Sequence, residues 1–226
     1  MSISMNKKTS FETGAQSTTQ RAYIALREAI ITGEIAPGEK LKVEELKSTL
    51  NTGASPVREA LSLLTSNQLV ERRDQRGFRV ALASRKQFNE VLSLRCQLEN
   101  LALRASINLG DQEWEDNLVL AHHHMTKLYA GPQDSFEVQH RAFHMTLLAA
   151  CDSPILIRFC EQLYDLNIRY RYLALKSIDY AKRDVAGEHQ AILNAAIERD
   201  VELASTLLVS HYRNTGDYLA ELMELS

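Results

Sequence analysis

Residues 55–80 read SPVREALSLLTSNQLVERRDQRGFRV, and this stretch decides the fold of the first third of the chain. Ser55 offers an N-cap oxygen and Pro56 suits a first helical position, so a helix is expected to begin here. Val57, Ala60, Leu61 and Leu64 recur at the spacing of one helix face, while Arg58 and Ser62 fall on the other side. After the helix, residues 69–73 (LVERR) have strand character, 74–77 (DQRG) have turn chemistry, and 78–80 (FRV) return as a second strand. The hairpin carries four arginines: Arg72, Arg73, Arg76 and Arg79.

Working outward towards the N-terminus, Tyr23, Leu26 and Ile30 share a helical face that stops at Thr32-Gly33, where glycine can take the left-handed cap conformation. Pro37-Gly38 makes a turn, Leu41, Val43, Leu46 and Leu50 give a second short amphipathic helix, and Asn51-Thr52-Gly53 breaks it. Helix, brief turn, helix and hairpin form a winged helix-turn-helix. Its third helix turns Ser55, Arg58 and Ser62 outward, as a recognition helix does in a major groove of double-stranded DNA. Arg72, Arg73 and Arg76 on the wing suit phosphates or a minor groove. Residues 1–83 hold 12 basic and 9 acidic side chains and the remainder 14 and 20, so the basic part is the one expected to meet phosphates.

The full chain has 226 residues, 45% hydrophobic and 24% charged, enough for two modest domains with real cores. No apolar run approaches the ~18 residues of a membrane span, and the first twenty residues contain no apolar signal core. The expectation is a cytoplasmic protein with no membrane partner. It would have a disordered polar tail at 1–18, a DNA-binding domain at 19–83 and an all-helical domain at 84–226. Cys96, Cys151 and Cys160 are odd in number, lack a CxxC spacing and lie in helical patterns, so buried free thiols are expected.

Beyond Ser84 the only prolines are Pro132 and Pro154, and helical periodicity runs almost to the end. Six helices are expected, at about 84–109, 111–130, 134–151, 155–178, 183–198 and 200–224, making the chain mainly α with a six-helix bundle as its second part. Of its seven histidines, His122, His123 and His124 flank an apolar stripe, whereas His140, His144, His189 and His211 fall within core stripes. His140 and His144 are four apart, which sets two rings on one face at coordination distance, and imidazole suits zinc, nickel or copper. Spacing alone leaves two readings open: satisfied core histidines, or a metal site.

The segments LREAIITGEIAPGEKLKVEEL (26–46) and SPVREALSLLTSNQLVERRDQRGFRV (55–80) resemble the winged-helix domain of the GntR family, in its fatty-acid-regulator subgroup. The resemblance implies DNA binding, with Arg58 at a DNA-contacting arginine and Arg76-Gly77 at the wing tip. It also departs from the family, since Ala54 and Glu44 stand where arginines are usual, which implies a different base preference. HRAFH (140–144), GEHQAILNAAIERD (187–200) and LLVSHYR (207–213) are similar to the ligand segments of the domain these regulators share. That implies a divalent metal, zinc or nickel first, held by His144, His189 and His211, with His140 replacing the family's aspartate.

An all-imidazole shell leaves a divalent charge uncompensated and should favour an acid as effector. Arg95 lies on an apolar face and could bind a second carboxylate, or pair with Glu99 or Asp165. Arg169 and Arg171, in YDLNIRYRYL (164–173), are further candidates. HRAFH and the RYR run also resemble glutarate-type carbon-starvation regulators, implying a short dicarboxylate. The whole is expected to be a homodimeric repressor, with symmetric protein on symmetric operator. Two alternatives are a metalloenzyme built on the histidines and a regulator whose helical domain is a metal-free dimerisation scaffold. Against the enzyme, no HExxH motif and no general base beside the histidines is visible.

Overall fold

The computed structural model describes residues 17–74, 76–129, 131–174 and 183–224. Residues 1–16 of the tail expected at 1–18, turn residue Gln75 and the end of the fourth bundle helix at 175–178 lie outside them, while Ser17 and Thr18 of that expected tail cap and begin the first helix. The chain divides into two compact units, residues 1–84 with 168–173, and residues 85–167 with 174–226.

The first unit contains α1 (Thr18–Ile31), β1 (Lys40–Leu41), α2 (Val43–Thr49), α3 (Ala54–Ser66), β2 (Val70–Arg73) and β3 (Gly77–Val80). Ser17 caps α1 by accepting from the Gln20 amide at 3.1 Å, and Gly33 leaves the helix with φ +78°. α1 packs on α3, and Leu26, Ile30, Val57, Ala60, Leu61, Leu64, Leu69 and Val80 form a core at 2% exposure or less.

Two sequence expectations need correcting. Leu41 is not in the second helix but in β1, and the wing is a three-stranded antiparallel sheet ordered β1-β3-β2, with Leu41 opposite Phe78. The turn at Pro37-Gly38, with φ +77° at Gly38, lays the chain against β3, where Gly38 N and Val80 O are 3.0 Å apart. A two-residue strand is too short to announce itself by alternation. Second, α3 starts at Ala54 on a Gly53 N-cap in extended conformation, so Ser55 lies inside the first turn and does not cap.

The second unit contains α4 (Arg85–Leu109), α5 (Gln112–Thr126), α6 (Gln133–Leu148), most of α7 (Pro154–Ala174), α8 (Val185–Ile197) and α9 (Val201–Glu224). These are the six expected helices. Asp111 and Asp184 cap α5 and α8 by accepting from the amides of Trp114 and Gly187 at 2.9 and 2.8 Å. Leu103, Leu118, Met125, Phe143, Leu147, Ile192, Ala196 and Leu208 are fully buried. All three cysteines are free, with Cys151 and Cys160 buried. Among the described residues no helix is long and apolar enough to cross a membrane.

One ion pair is built into this core. Arg95 and Glu99, one turn apart on α4, are 5% and 0% exposed, and the guanidinium also donates to Asn167 Oδ1 at 2.8 Å. The rings of Tyr212 and Tyr164 flank it at 4.2 and 5.0 Å. Burial alone would lower the pKa of Arg95; the Glu99 carboxylate outweighs it, and the guanidinium stays charged.

Two stability predictions follow from this packing. Leu61→Ala, at 0% exposure, should cost about 2–5 kcal/mol in denaturant unfolding of the first unit; a loss under about 0.5 kcal/mol would mean α3 is not its core helix. Glu99→Gln should cost about 3–5 kcal/mol in metal-stripped protein by stranding Arg95, whereas joint replacement of both partners by apolar residues should cost much less.

Candidate metal centre and nucleic-acid face

On the first unit, Ser55, Arg58 and Ser62 are exposed along α3, and Arg72, Arg73, Arg76 and Gly77 are exposed on the wing. The apolar stripe of α3 is turned into the core, which leaves Arg58 outside without an ion-pair partner among the described residues. Ser62 donates to the Arg58 carbonyl at 2.9 Å, and Arg73 lies 3.3 Å from Glu71. Arg79, the fourth wing arginine, donates instead to the Gly38 carbonyl and braces β1. Gly77 has φ +81°, so the wing turns at a residue whose missing side chain makes that conformation inexpensive.

In the second unit, three helices bring His140 and His144 (α6), His189 (α8) and His211 (α9) together. All four are buried, and one nitrogen of each lies within 4.8 Å of the others. Ligands about 2.1 Å from a common ion are at most about 4.2 Å apart, so the set closes on a cation with shifts of a few tenths of an ångström. The Nε2 atoms of His140 and His144 are already 3.1 Å apart.

The far side of each ring is occupied. Nδ1 of His140 faces the Tyr164 hydroxyl at 2.7 Å, Nδ1 of His189 the Tyr129 hydroxyl at 2.7 Å, Nδ1 of His144 the Tyr212 hydroxyl at 3.0 Å, and Nδ1 of His211 the Glu188 carboxylate at 2.7 Å. With Nδ1 so engaged, Nε2 is the ligand atom each ring offers, the usual arrangement behind metal-bound imidazoles. Four nitrogen donors with ordered outer partners therefore fit a divalent transition ion.

Two of the carboxylates behind the rings each have their own arginine. Glu188 is clamped by Arg183, whose Nε donates to Oε1 at 2.8 Å and whose Nη2 reaches Oε2 and the His211 carbonyl. Burial works to raise the pKa of Glu188, but the hydrogen bonds from His211 and Arg183 outweigh it and hold the carboxyl at about 2. Glu99 accepts from Tyr212 and is paired with Arg95. Glu137 lies 3.6 Å from Nδ1 of His140.

The three arginines considered for a second carboxylate each have partners within the protein, and Arg95 takes the pairing with Glu99 that the sequence left open. Arg95 stands behind His144, separated from it by Glu99 and Tyr212. Arg169, 2% exposed, donates to the Ala81 carbonyl within the first unit, and burial lowers its pKa. Arg171 is buried on the same turn of α7. Sequence reasoning missed Tyr129, Tyr164, Tyr212, Glu188 and Arg183, because no spacing rule predicts which side chain backs a ring on another helix. It also misjudged His122, which is not a polar flank residue: it is 6% exposed, packed edge-on against Phe143 at 5.4 Å, and its pKa is lowered by burial.

Comparison with known proteins agrees with both halves. Residues 18–80 match the family described as bacterial regulatory proteins, gntR family, and residues 90–214 match the FCD domain. The HTH-type transcriptional repressor GlaR of Escherichia coli (strain K12) is 33% identical over 86% of this chain and 92% of its own length. The uncharacterized HTH-type transcriptional regulator BphR of Paraburkholderia xenovorans (strain LB400) is 35% identical over 88% and 84%. Among solved structures, E. coli McbR/YncC superposes with a TM-score of 0.81 at 20% identity over 92% of this chain and 99% of that one, which shows the shared fold. The metalloenzyme alternative has no counterpart among these relatives. The chain belongs to the GntR family of bacterial regulatory proteins, as a helix-turn-helix transcriptional regulator with an FCD domain.

Proposed function

We propose that the chain represses transcription as a homodimer, in which two reading heads engage a two-fold symmetric operator and a small carboxylate at a metal held by His140, His144, His189 and His211 alters operator affinity. The carrying observation is the buried cluster itself: four imidazoles within 4.8 Å, each backed at Nδ1 by a hydroxyl or carboxylate. Zinc or nickel suits four imidazole nitrogens, whereas magnesium and calcium seek oxygen. When bound, such an ion offers coordination positions that an anionic oxygen can take.

Charge favours an acid. Glu99 and Glu188 are each matched by an arginine, so those pairs do not cancel a divalent charge, and Glu137 offsets at most one unit. A short dicarboxylate remains the preferred class. None of Arg95, Arg169 and Arg171 is free, so a second carboxylate would have to displace an existing bond to reach one of them.

On the DNA side, α3 with Ser55, Arg58 and Ser62 enters the major groove, and Arg72, Arg73, Arg76 and Gly77 of the wing meet the backbone or minor groove, in the cytoplasm where operator DNA lies. The acid relieves repression by binding the DNA-incompetent arrangement more tightly, because equal affinity for both arrangements would shift nothing.

Operator fragments recovered by genomic pull-down supply the probe for fluorescence anisotropy. Arg58→Ala should cost about 1–3 kcal/mol of specific affinity, and Arg72→Ala should weaken all sequences alike and reduce the salt slope by about one. Untagged protein should carry one zinc or nickel per chain, and short dicarboxylates should weaken operator binding by the metal-loaded protein. Empty protein with no thermal shift on adding either metal would leave the helical unit a dimerisation scaffold; acids without effect on operator affinity would sink the sensing half.

A further inference from the structure

We propose that Glu188 and Tyr212 are positioning residues of the histidine cluster, fixing His211 and His144 in the tautomer that turns the Nε2 lone pair to the centre and thereby setting metal affinity. The inference rests on the metal-site reading above and adds to it the cause of the rings' orientation.

The direction of each proton follows from the chain of partners. A carboxylate only accepts, so at 2.7 Å from Glu188 Oε2 the nitrogen Nδ1 of His211 is the donor. Glu188 cannot turn away, because Arg183 grips both its oxygens and also binds Thr215 Oγ1 at 2.7 Å on α9. The second relay is one residue longer. Tyr212 donates its only proton to Glu99, which also accepts from Arg95. The Tyr212 oxygen can then only accept from Nδ1 of His144, at 3.0 Å. Both rings are thus Nδ1–H tautomers, with the lone pair on Nε2.

The two relays are built alike: an arginine fixes a glutamate, and the glutamate, directly or through a phenol, fixes an imidazole. They act on helix α9 and helix α6 respectively, so two ligands from different helices are preset before any metal arrives. The phenols of Tyr164 and Tyr129 behind His140 and His189 can donate or accept, and so do not dictate a tautomer in the same way. An outer partner that orients a ligating histidine typically contributes about 10- to 100-fold to metal affinity.

The test is competition of nickel and zinc against a chromophoric chelator, using metal-stripped full-length wild type, Glu188→Gln, Glu188→Ala, Tyr212→Phe and the Glu188→Gln/Tyr212→Phe double variant. Glu188 is partly exposed at the cluster's edge, so its variants stay readable should Tyr212→Phe prove poorly folded by circular dichroism. Wild type should bind one ion per chain. Glu188→Ala and Tyr212→Phe should each lose about 10- to 100-fold, Glu188→Gln less because its amide oxygen still accepts, and the double variant the product of its two single losses. The visible spectrum of cobalt-loaded protein should shift in the same variants, which a merely structural role would not produce. Folded variants with wild-type affinity and an unchanged cobalt spectrum would overturn the positioning role while leaving the metal site standing. Wild type that binds neither metal would overturn the site reading, and this inference with it.

Discussion

Four imidazoles in the interior of a helical bundle impose a constraint on everything around them: each ring has two polar nitrogens, and a buried nitrogen without a partner costs of the order of a hydrogen bond or more. The bundle answers by placing an oxygen behind every ring, from Tyr129, Tyr164, Tyr212 and Glu188. Those oxygens come from the turn after α5 (Tyr129) and from the helices α7, α9 and α8. The cluster and the helix packing are therefore one arrangement. A shift in any of these helices takes an oxygen from a ring.

Charge is handled by the same economy. Glu99 and Glu188 sit where they stabilise the Nδ1–H form of a ring, yet each is neutralised by an arginine, Arg95 in the deep core and Arg183 at the edge. Such pairing keeps buried carboxylates tolerable in a low-dielectric interior. Glu137 is a further carboxylate, 3.6 Å from Nδ1 of His140.

The reading head follows the opposite rule. Its cations are kept outside because the apolar stripe of α3 is consumed in packing against α1, α2 and β2, and Arg58 is left on the exposed face with no acid to hold it among the described residues. The exception teaches the rule. Arg79 is bound by the Gly38 carbonyl and stiffens the three-stranded wing from which Arg72, Arg73 and Arg76 project.

The architecture could be read almost completely from the chain. The helical spacing of Val57, Ala60, Leu61 and Leu64, the turn chemistry at residues 74–77 and the proline breaks after Ser84 are local properties, and local properties fix helices and turns. Strand β1 escaped because two residues carry no period, and the start of α3 moved two residues because an extended Gly53 served as cap in place of Ser55. The four histidines of the cluster could also be read, since each stood on an apolar face that had to turn inward.

What surrounds them could not. Whether Arg95 faces a ligand or Glu99, whether Arg169 serves the cluster or the Ala81 carbonyl, and which oxygen stands behind which ring depend on contacts between residues as far as 113 apart in sequence, as between Glu99 and Tyr212. The sequence by itself determined which side chains must be buried, because burial follows from periodicity along one helix. Only the tertiary structure decided which of them meet, because partners are chosen by how separate helices pack.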